Sequence, residues 1–502
     1  MENGNTNVSP IEFVRYVRYY WSVETLANFL EHTLHHLDFH VDTLHYRRKT
    51  VLELLVGDKI RHNSREKSMM CLLLKHGASP LKRLRCGGTI IQRILRNKDS
   101  ALIIEFLKYV EDIDMIHGKS TALNIAVRRQ LKDVVKYIIG RNADVNKKSW
   151  TGCTPLHESI RSRSKSVDMM KILLESGADM EIKSGAGQTP LHMAVDYNNI
   201  DQVRTLIMNG ANVNSTDSLG GTPLHTLCSR LCSRGIFDFE LYELLLQNCN
   251  VNAKDNQGVT PLHYLMRFLP EDSSTSEKRK LINLFLKYGG DLQASYDFFG
   301  TVLHTAAFFN QSVPFLAFLI DIMADINIVD IGTVTFMHFI NWKSGEAKVE
   351  EVLKFLSIRE CECKFQFNDN LLRFIESGEQ FIEFQMSCKN ELRILKDRKL
   401  RENDSFSLFT ALATNERDLA KIYRYDHSRI TGITDVETEN FPIYGNDLVT
   451  NHRNAIAILE AEISIYDFLT KAGDNVLDQC SIYEIVKSIP TQDIVKPSLK
   501  LN

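Results

Sequence analysis

Short apolar runs at helical spacing, broken at regular intervals by polar turn signals, fill the chain from about residue 46 to about residue 358. Four of these runs open on the same tetrapeptide, Thr-Pro-Leu-His, at residues 154–157, 189–192, 222–225 and 260–263. Looser copies stand at 301–304 and 335–338, and the six opening threonines lie 35, 33, 38, 41 and 34 residues apart. The threonine oxygen suits an N-cap, where it accepts from a free N–H of the first turn. Proline fits the first helical position, where no N–H partner is missed. Leucine begins the buried stripe, and histidine can bridge its helix to neighbouring backbone through its two ring nitrogens. A second helix follows each opening and ends in a recurring phrase, as in Gly177-Ala178-Asp179 and Gly210-Ala211-Asn212-Val213-Asn214. Glycine there accepts the left-handed conformation that ends a helix, and Asp or Asn starts the next turn.

The period extends upstream in weaker form, through Thr121-Ala122-Leu123-Asn124, Thr89-Ile90-Ile91-Gln92 and Thr50-Val51-Leu52-Glu53. A period near 33 carrying this tetrapeptide closely resembles the ankyrin-repeat family. The resemblance implies an all-α solenoid of helix–turn–helix pairs with β-hairpin loops, about eight or nine repeats over residues 46–358. Residues 1–45 are expected to form an N-terminal helical cap, with a helix over 11–37, because a terminal repeat cannot bury both faces. Ankyrin stacks usually hold protein partners on the concave side, made of hairpin tips and first helices. The matching tips are residues 147–151, 183–188, 215–219 and 254–257. Candidate partner-binding residues on this face are Trp150, Arg161, Arg163, Asp196, Tyr197, Arg230, Arg267 and Phe268. Trp150 stands out, since tryptophan and arginine dominate interface hot spots; its other reading is a ring packed on the adjacent hairpin. Two insertions, near 231–235 and 270–277, are expected to lengthen the loops between paired helices. Ser273, Ser274, Thr275 and Ser276 in the second offer hydroxyls for phosphorylation.

After about residue 358 the repeat phrase stops. Residues 381–396 read as an amphipathic helix, a second is expected from Phe406 with Asp404 or Ser405 as cap, 437–446 as a polar loop and 453–469 as a further helix. The order of Cys388-Lys389-Asn390-Glu391-Leu392-Arg393-Ile394-Leu395, Lys399-Leu400 and Phe406-Ser407-Leu408-Phe409 resembles the PRANC domain, which ends many ankyrin proteins of poxviruses and also occurs in parasitoid wasps and bacterial symbionts. Residues 359–502 would then be a helical C-terminal domain carrying an F-box-like segment. The resemblance implies docking to the linker subunit of an SCF-type ubiquitin ligase through Tyr483, Glu484, Ile485, Ile489, Asp493 and Ile494. Two features depart from that pattern: Ser481-Ile482 replace its Leu-Pro, and Pro490 interrupts the docking helix, at a cost of about 3 kcal/mol if it falls inside one. The implied function is a substrate-recruiting ligase adaptor. A ligase-independent binder or scaffold that sequesters a signalling protein is the alternative.

Composition narrows this further. The 502 residues carry a formal net charge of −3, which gives no general attraction for nucleic acid or acidic membrane. No apolar run is long enough to span a bilayer, and the N-terminus has no basic-then-apolar signal. A cytoplasmic or nuclear protein is expected. The ten cysteines are scattered, so no disulfide framework is expected there. Cys361 and Cys363 lack further ligands at metal-site spacing. His32, His35, His36 and His40 fall on one helical face, where they suit either zinc or an exposed face of the capping helix; no metal is assigned. No phosphate loop, zinc-protease helix or nucleophile elbow is present, so neither an enzyme nor a cofactor is expected.

Overall fold

The computed structural model describes residues 22–34, 42, 45–46, 49–56, 63–82, 88–117, 119–161, 167–230, 237–270, 274–296, 300–323, 335–362, 366–397, 407–414, 419–420, 441–444 and 446–458. Arg163, His35, His36, His40, Cys363, the first insertion and the segment holding Tyr483, Glu484, Ile485, Ile489, Asp493 and Ile494 lie outside the described residues. The chain divides into two compact units, Met1–Asp291 and Leu292–Asn502.

Among the described residues of unit 1, α1 (Val23–Leu34) comes first and packs on α3 (Ser64–Lys75) through the buried Leu26 and Leu30. Helices then alternate in pairs. The first helices are α2 (Val51–Val56), α4 (Ile90–Ile94), α6 (Ala122–Arg128), α8 (Pro155–Arg161), α10 (Pro190–Asp196), α12 (Pro223–Ser229) and α14 (Pro261–Phe268). The second helices are α3, α5 (Ser100–Lys108), α7 (Lys132–Gly140), α9 (Asp168–Glu175), α11 (Ile200–Met208), α13 (Phe239–Leu246) and α15 (Thr275–Lys287). Successive first helices from α6 to α14 touch their neighbours, and leucines such as Leu156, Leu191, Leu224 and Leu262 are buried between them. Short antiparallel pairs occur where the tetrapeptide is weakest: β1 (His45–Tyr46) with β2 (Lys49–Thr50), and β3 (Ile116–His117) with β4 (Ser120–Thr121). The four full copies instead close tight tips, in which Ser149, Ser184, Asp217 and Asp255 each donate their N–H to the carbonyl four residues on, at 2.8–3.0 Å.

The tetrapeptide works as one device. Thr189 donates its N–H to His192 Nδ1 at 3.3 Å, its hydroxyl lies 2.8 Å from the same nitrogen, and His192 Nε2 lies 3.0 Å from Gly221 O in the next tip. An Nδ1 that accepts leaves the ring proton on Nε2, so the side chain is neutral and donates across the repeat boundary. His157 to Gln188 O and His225 to Val259 O repeat the bridge at 3.0 Å. In the weaker copy, Asn124 Nδ2 reaches Cys153 O at 3.4 Å, so the amide takes over a share of the histidine's work.

A second ladder runs along the turn phrases. Asp114 accepts from Asp144 N, Asn146 from Asp179 N, Glu181 from Asn212 N, Asn214 from Asn250 N and Asn252 from Asp291 N, at 2.7–3.1 Å. Asp144, Asp179, Asn212 and Asn250 each accept in turn from the N–H two residues on. The second insertion departs from expectation. Ser274 caps α15, a helix of 13 residues where α13 has 8, so residues from 275 lengthen a helix rather than a loop. Helix formers such as Glu277 and Lys278 after a serine cap account for this.

Unit 2 contains β5 (Ser295–Tyr296) paired with β6 (Gly300–Thr301), then α16 (Val302–Phe308), α17 (Val313–Ile322), α18 (Phe336–Ser344), α19 (Glu346–Cys361), α20 (Asp369–Glu376), α21 (Glu379–Asp397) and α22 (Leu408–Ala413). The expected amphipathic helix over 381–396 is α21. The cap of α22 is Ser407, whose Oγ accepts from Thr410 N at 3.2 Å, rather than Asp404 or Ser405. Residues 446–458 are helical, beginning earlier than residue 453. Cys388, Leu392 and Leu395 of α21 share a core with Leu408, Leu412, Phe441, Tyr444 and Ile458. The buried Glu391 carboxylate accepts from Ile443 N and Tyr444 N at 3.0 and 2.7 Å, and Tyr444 donates its hydroxyl to Lys354 O at 3.0 Å. Burial in this core pushes the Cys388 thiol up to about 11, so it is an inert packing group.

Candidate protein-binding face

The tips of unit 1 are stitched to one another by backbone. Trp150 N donates to Lys119 O at 3.0 Å, Gly185 N to Thr151 O at 3.1 Å and Asn256 N to Leu219 O at 3.1 Å. The approach between the tips at 149–153 and 184–188 needs small residues. A Cβ on Gly185 would meet Thr151 O at 2.5 Å, and one on Gly152, at φ +74°, would meet Gly185 N at 2.3 Å. Trp150 sits at the tip position that Gly185 fills one repeat later. Its backbone is fixed on both sides while its ring points outward, 75 % exposed. Lys119 Nζ lies 5.5 Å from the ring centroid.

Lys119 also lines a groove of about 760 Å³ over α4, α6 and the tip between them, together with Gln92, Arg96, Ile125, Arg128 and Arg129. Arg128 grips the buried Glu158 with two parallel hydrogen bonds of 2.8 Å. Arg96, Lys119 and Arg129 are exposed. Among the described residues they make no ion pair. The described lining of the groove therefore carries Arg96, Lys119 and Arg129 with no lining carboxylate to cancel them.

The residues expected on this face separate into different roles. Arg161 ends α8 and is exposed, and Tyr197, the C-cap of α10, is 46 % exposed. Arg230 is turned into the fold: its Nη1 donates to Val195 O at 2.8 Å and Asn198 Oδ1 at 2.9 Å, and its Nε lies 3.8 Å from Asp196 Oδ1. It holds the end of α10 and leaves Asp196 as the exposed member of that pair. Arg267 lies 5.2 Å from the ring of the half-buried Phe268, which in turn is 6.1 Å from Tyr264. Tyr264 donates its hydroxyl to Asp255 Oδ2 at 3.0 Å, and burial pushes its phenol up to about 12.

Reading only the full tetrapeptides misses most of the groove. Arg161, Asp196 and Arg267 are each the seventh residue after the opening threonine; the same count from Thr89, Thr121, Thr301 and Thr335 reaches Arg96, Arg128, Phe308 and Trp342. The eighth residue adds Arg129 and Lys343. In unit 2, Trp342 is 70 % exposed, its ring lies 5.5 Å from Phe308, and Lys343 Nζ stands 4.6 Å from Phe308 and 5.0 Å from Trp342. That register was available from sequence once the degenerate copies were counted in.

Among the described residues, no group of three or more His, Cys, Asp or Glu is placed to hold a metal ion, and no helix is long and apolar enough to cross a membrane. No curated protein matches the chain. The family model for ankyrin repeats matches in three overlapping copies, over residues 91–184, 141–217 and 191–273. With helix pairs, bridging histidines and stitched tips over the same residues, residues 91–273 are ankyrin repeats within an all-α repeat fold, and such repeats indicate a protein-binding role.

Proposed function

We propose that the face of unit 1 made of tips and first helices captures a protein partner, and that the protein acts through that binding rather than by catalysis. The observation that supports this is Trp150. A large ring that is three-quarters exposed on a rigid tip, beside a groove with unmatched cations, has the character of an interface anchor. Replacing Trp150 by a photoreactive benzoylphenylalanine should cross-link a defined partner in cells. The same group at Met208, which is 76 % exposed at the end of second helix α11, should not. Equal capture at both positions would remove the reading.

The finer reading is a substrate-recruiting adaptor for an SCF-type ubiquitin ligase, working in the cytoplasm or nucleus. Its support is the PRANC-like order of residues 388–409, with α21 and α22 sharing one core, downstream of an array that we take to continue to residue 358. Docking would fall to residues 483–494. Purification of the full chain and of a version ending at residue 474 tests it: the linker subunit should accompany the full chain alone, while both retain the captured partner. Recovery of the same partners with both, and of no ligase subunit with either, would leave a sequestering binder.

A further inference from the structure

We infer that the groove over α4 and α6 takes an extended acidic segment of the partner, with an apolar side chain of that segment set against Trp150. This rests on the reading of the face as protein-binding and names the class of partner. Three exposed cations, Arg96, Lys119 and Arg129, converge there without ion pairs among the described residues, and Arg161 continues the register on α8. No carboxylate is among the groove's described lining residues, and Glu158, buried behind Arg128, is consumed by it. The wall is not purely polar: Ile125 lines it, and Trp150 lies past Lys119. An acidic chain interrupted by an apolar residue matches that order of groups.

Length supports a short linear segment. Neighbouring helices pack about 9 Å apart, so α4 to α8 spans roughly 18 Å, the reach of five or six extended residues at about 3.3 Å each. A nucleic-acid strand fits less well. Its phosphates would continue past α8 towards Asp196 on α10 and the tip carboxylates Asp217 and Asp255, and the chain as a whole carries a net charge of −3.

The test uses the full chain and a fluorescein-labelled peptide of five glutamates followed by phenylalanine. An all-glutamine counterpart and a single-stranded thymidine oligonucleotide of equal charge serve as comparisons. Binding of the acidic peptide should weaken severalfold between about 50 and about 300 mM salt. The double variant R96E/R129E should weaken it by about tenfold or more. Trp150→Ala should do the same, with Trp150→Phe recovering most of the loss. All these positions are exposed, so thermal unfolding of each variant should match the parent. Unchanged affinity in R96E/R129E, or tighter binding of the oligonucleotide than of the peptide, would overturn the inference. Cross-linking from position 150 in the R96E/R129E background separates this from failure of the wider reading. A partner still captured there means the face binds protein of another chemistry; no site-specific capture in either background means that neither reading holds.

Discussion

At the scale of single residues, the bridging histidines set how the stack responds to acid. Burial lowers the pKa of His157, His192 and His225 below the ordinary histidine value, against smaller opposing effects of hydrogen bonds and of nearby carboxylates such as Glu158 and Asp217. The unfolded chain protonates these rings near pH 6.5, while the folded chain holds them neutral. Their contribution to stability is therefore complete above about pH 6.5 and is lost as pH falls from there towards the depressed folded values. Each ring removes about 1.4 kcal/mol per pH unit inside that window. Denaturant unfolding followed between about pH 7 and 5.5 should show this fall. His192→Asn should flatten the slope by one ring's share and cost about 1 kcal/mol at neutral pH. The substitution has a precedent within the chain. Asn124 makes the same reach at 3.4 Å instead of 3.0 Å and leaves its Oδ1 buried without a hydrogen-bond partner. An unchanged slope in His192→Asn would mean that the ring already titrates normally in the fold.

At the scale of elements, what joins repeats is as much backbone as side chain. Gly185 has an ordinary backbone conformation, and alanine there would strain nothing locally. Its Cβ would nevertheless press on Thr151 O and push the neighbouring tips apart. Gly185→Ala should cost about 1–3 kcal/mol and shift the emission of Trp150, which is carried on the displaced tip. A change in stability without a change in emission would place the strain elsewhere. The turn ladder should be more tolerant. Asn214→Ala removes the acceptor for Asn250 N at an exposed edge, where water can replace it, so a loss of about 0.5–1 kcal/mol is expected by denaturant unfolding. The helices of the tetrapeptide repeats, their threonine caps and the left-handed glycines were legible from residue types because each depends on contacts within a few residues, whereas the α22 cap at Ser407 and the helix starting at Thr275 were not. The ladder and the tip-to-tip bonds were not. They join groups some thirty residues apart, and nothing in Asn214 itself announces an acceptor for Asn250.

At the scale of the molecule, the fold class was readable from period alone, whereas the groove over α4 and α6 is reached only by carrying the register into copies that lack both proline and histidine, which supply its cations. Those copies keep the cap, as Thr89 and Gln92 show by closing a capping box, and so keep the register that places Arg96 and Arg128 on one face. Arg230 failed as a surface candidate for the opposite reason: position in the repeat fixes where a side chain starts, while Val195 O and Asn198 decide where it ends. The same repeat logic governs how unit 1 comes apart. Each helix pair touches mainly its neighbours, so stability is close to a sum of local and nearest-neighbour contributions. Leu206 is fully buried on α11, and Leu206→Ala should cost about 2–5 kcal/mol. In a single globular core that loss would be shared by every amide that exchanges through global unfolding. In this stack, hydrogen exchange should rise most in α10 and α11, then in the adjoining pairs α8–α9 and α12–α13, and least in α2–α3 at the far end. Uniform loss of protection from α2 to α15 would mean that unit 1 unfolds as one cooperative block and that its interfaces, rather than its individual pairs, carry nearly all the stability.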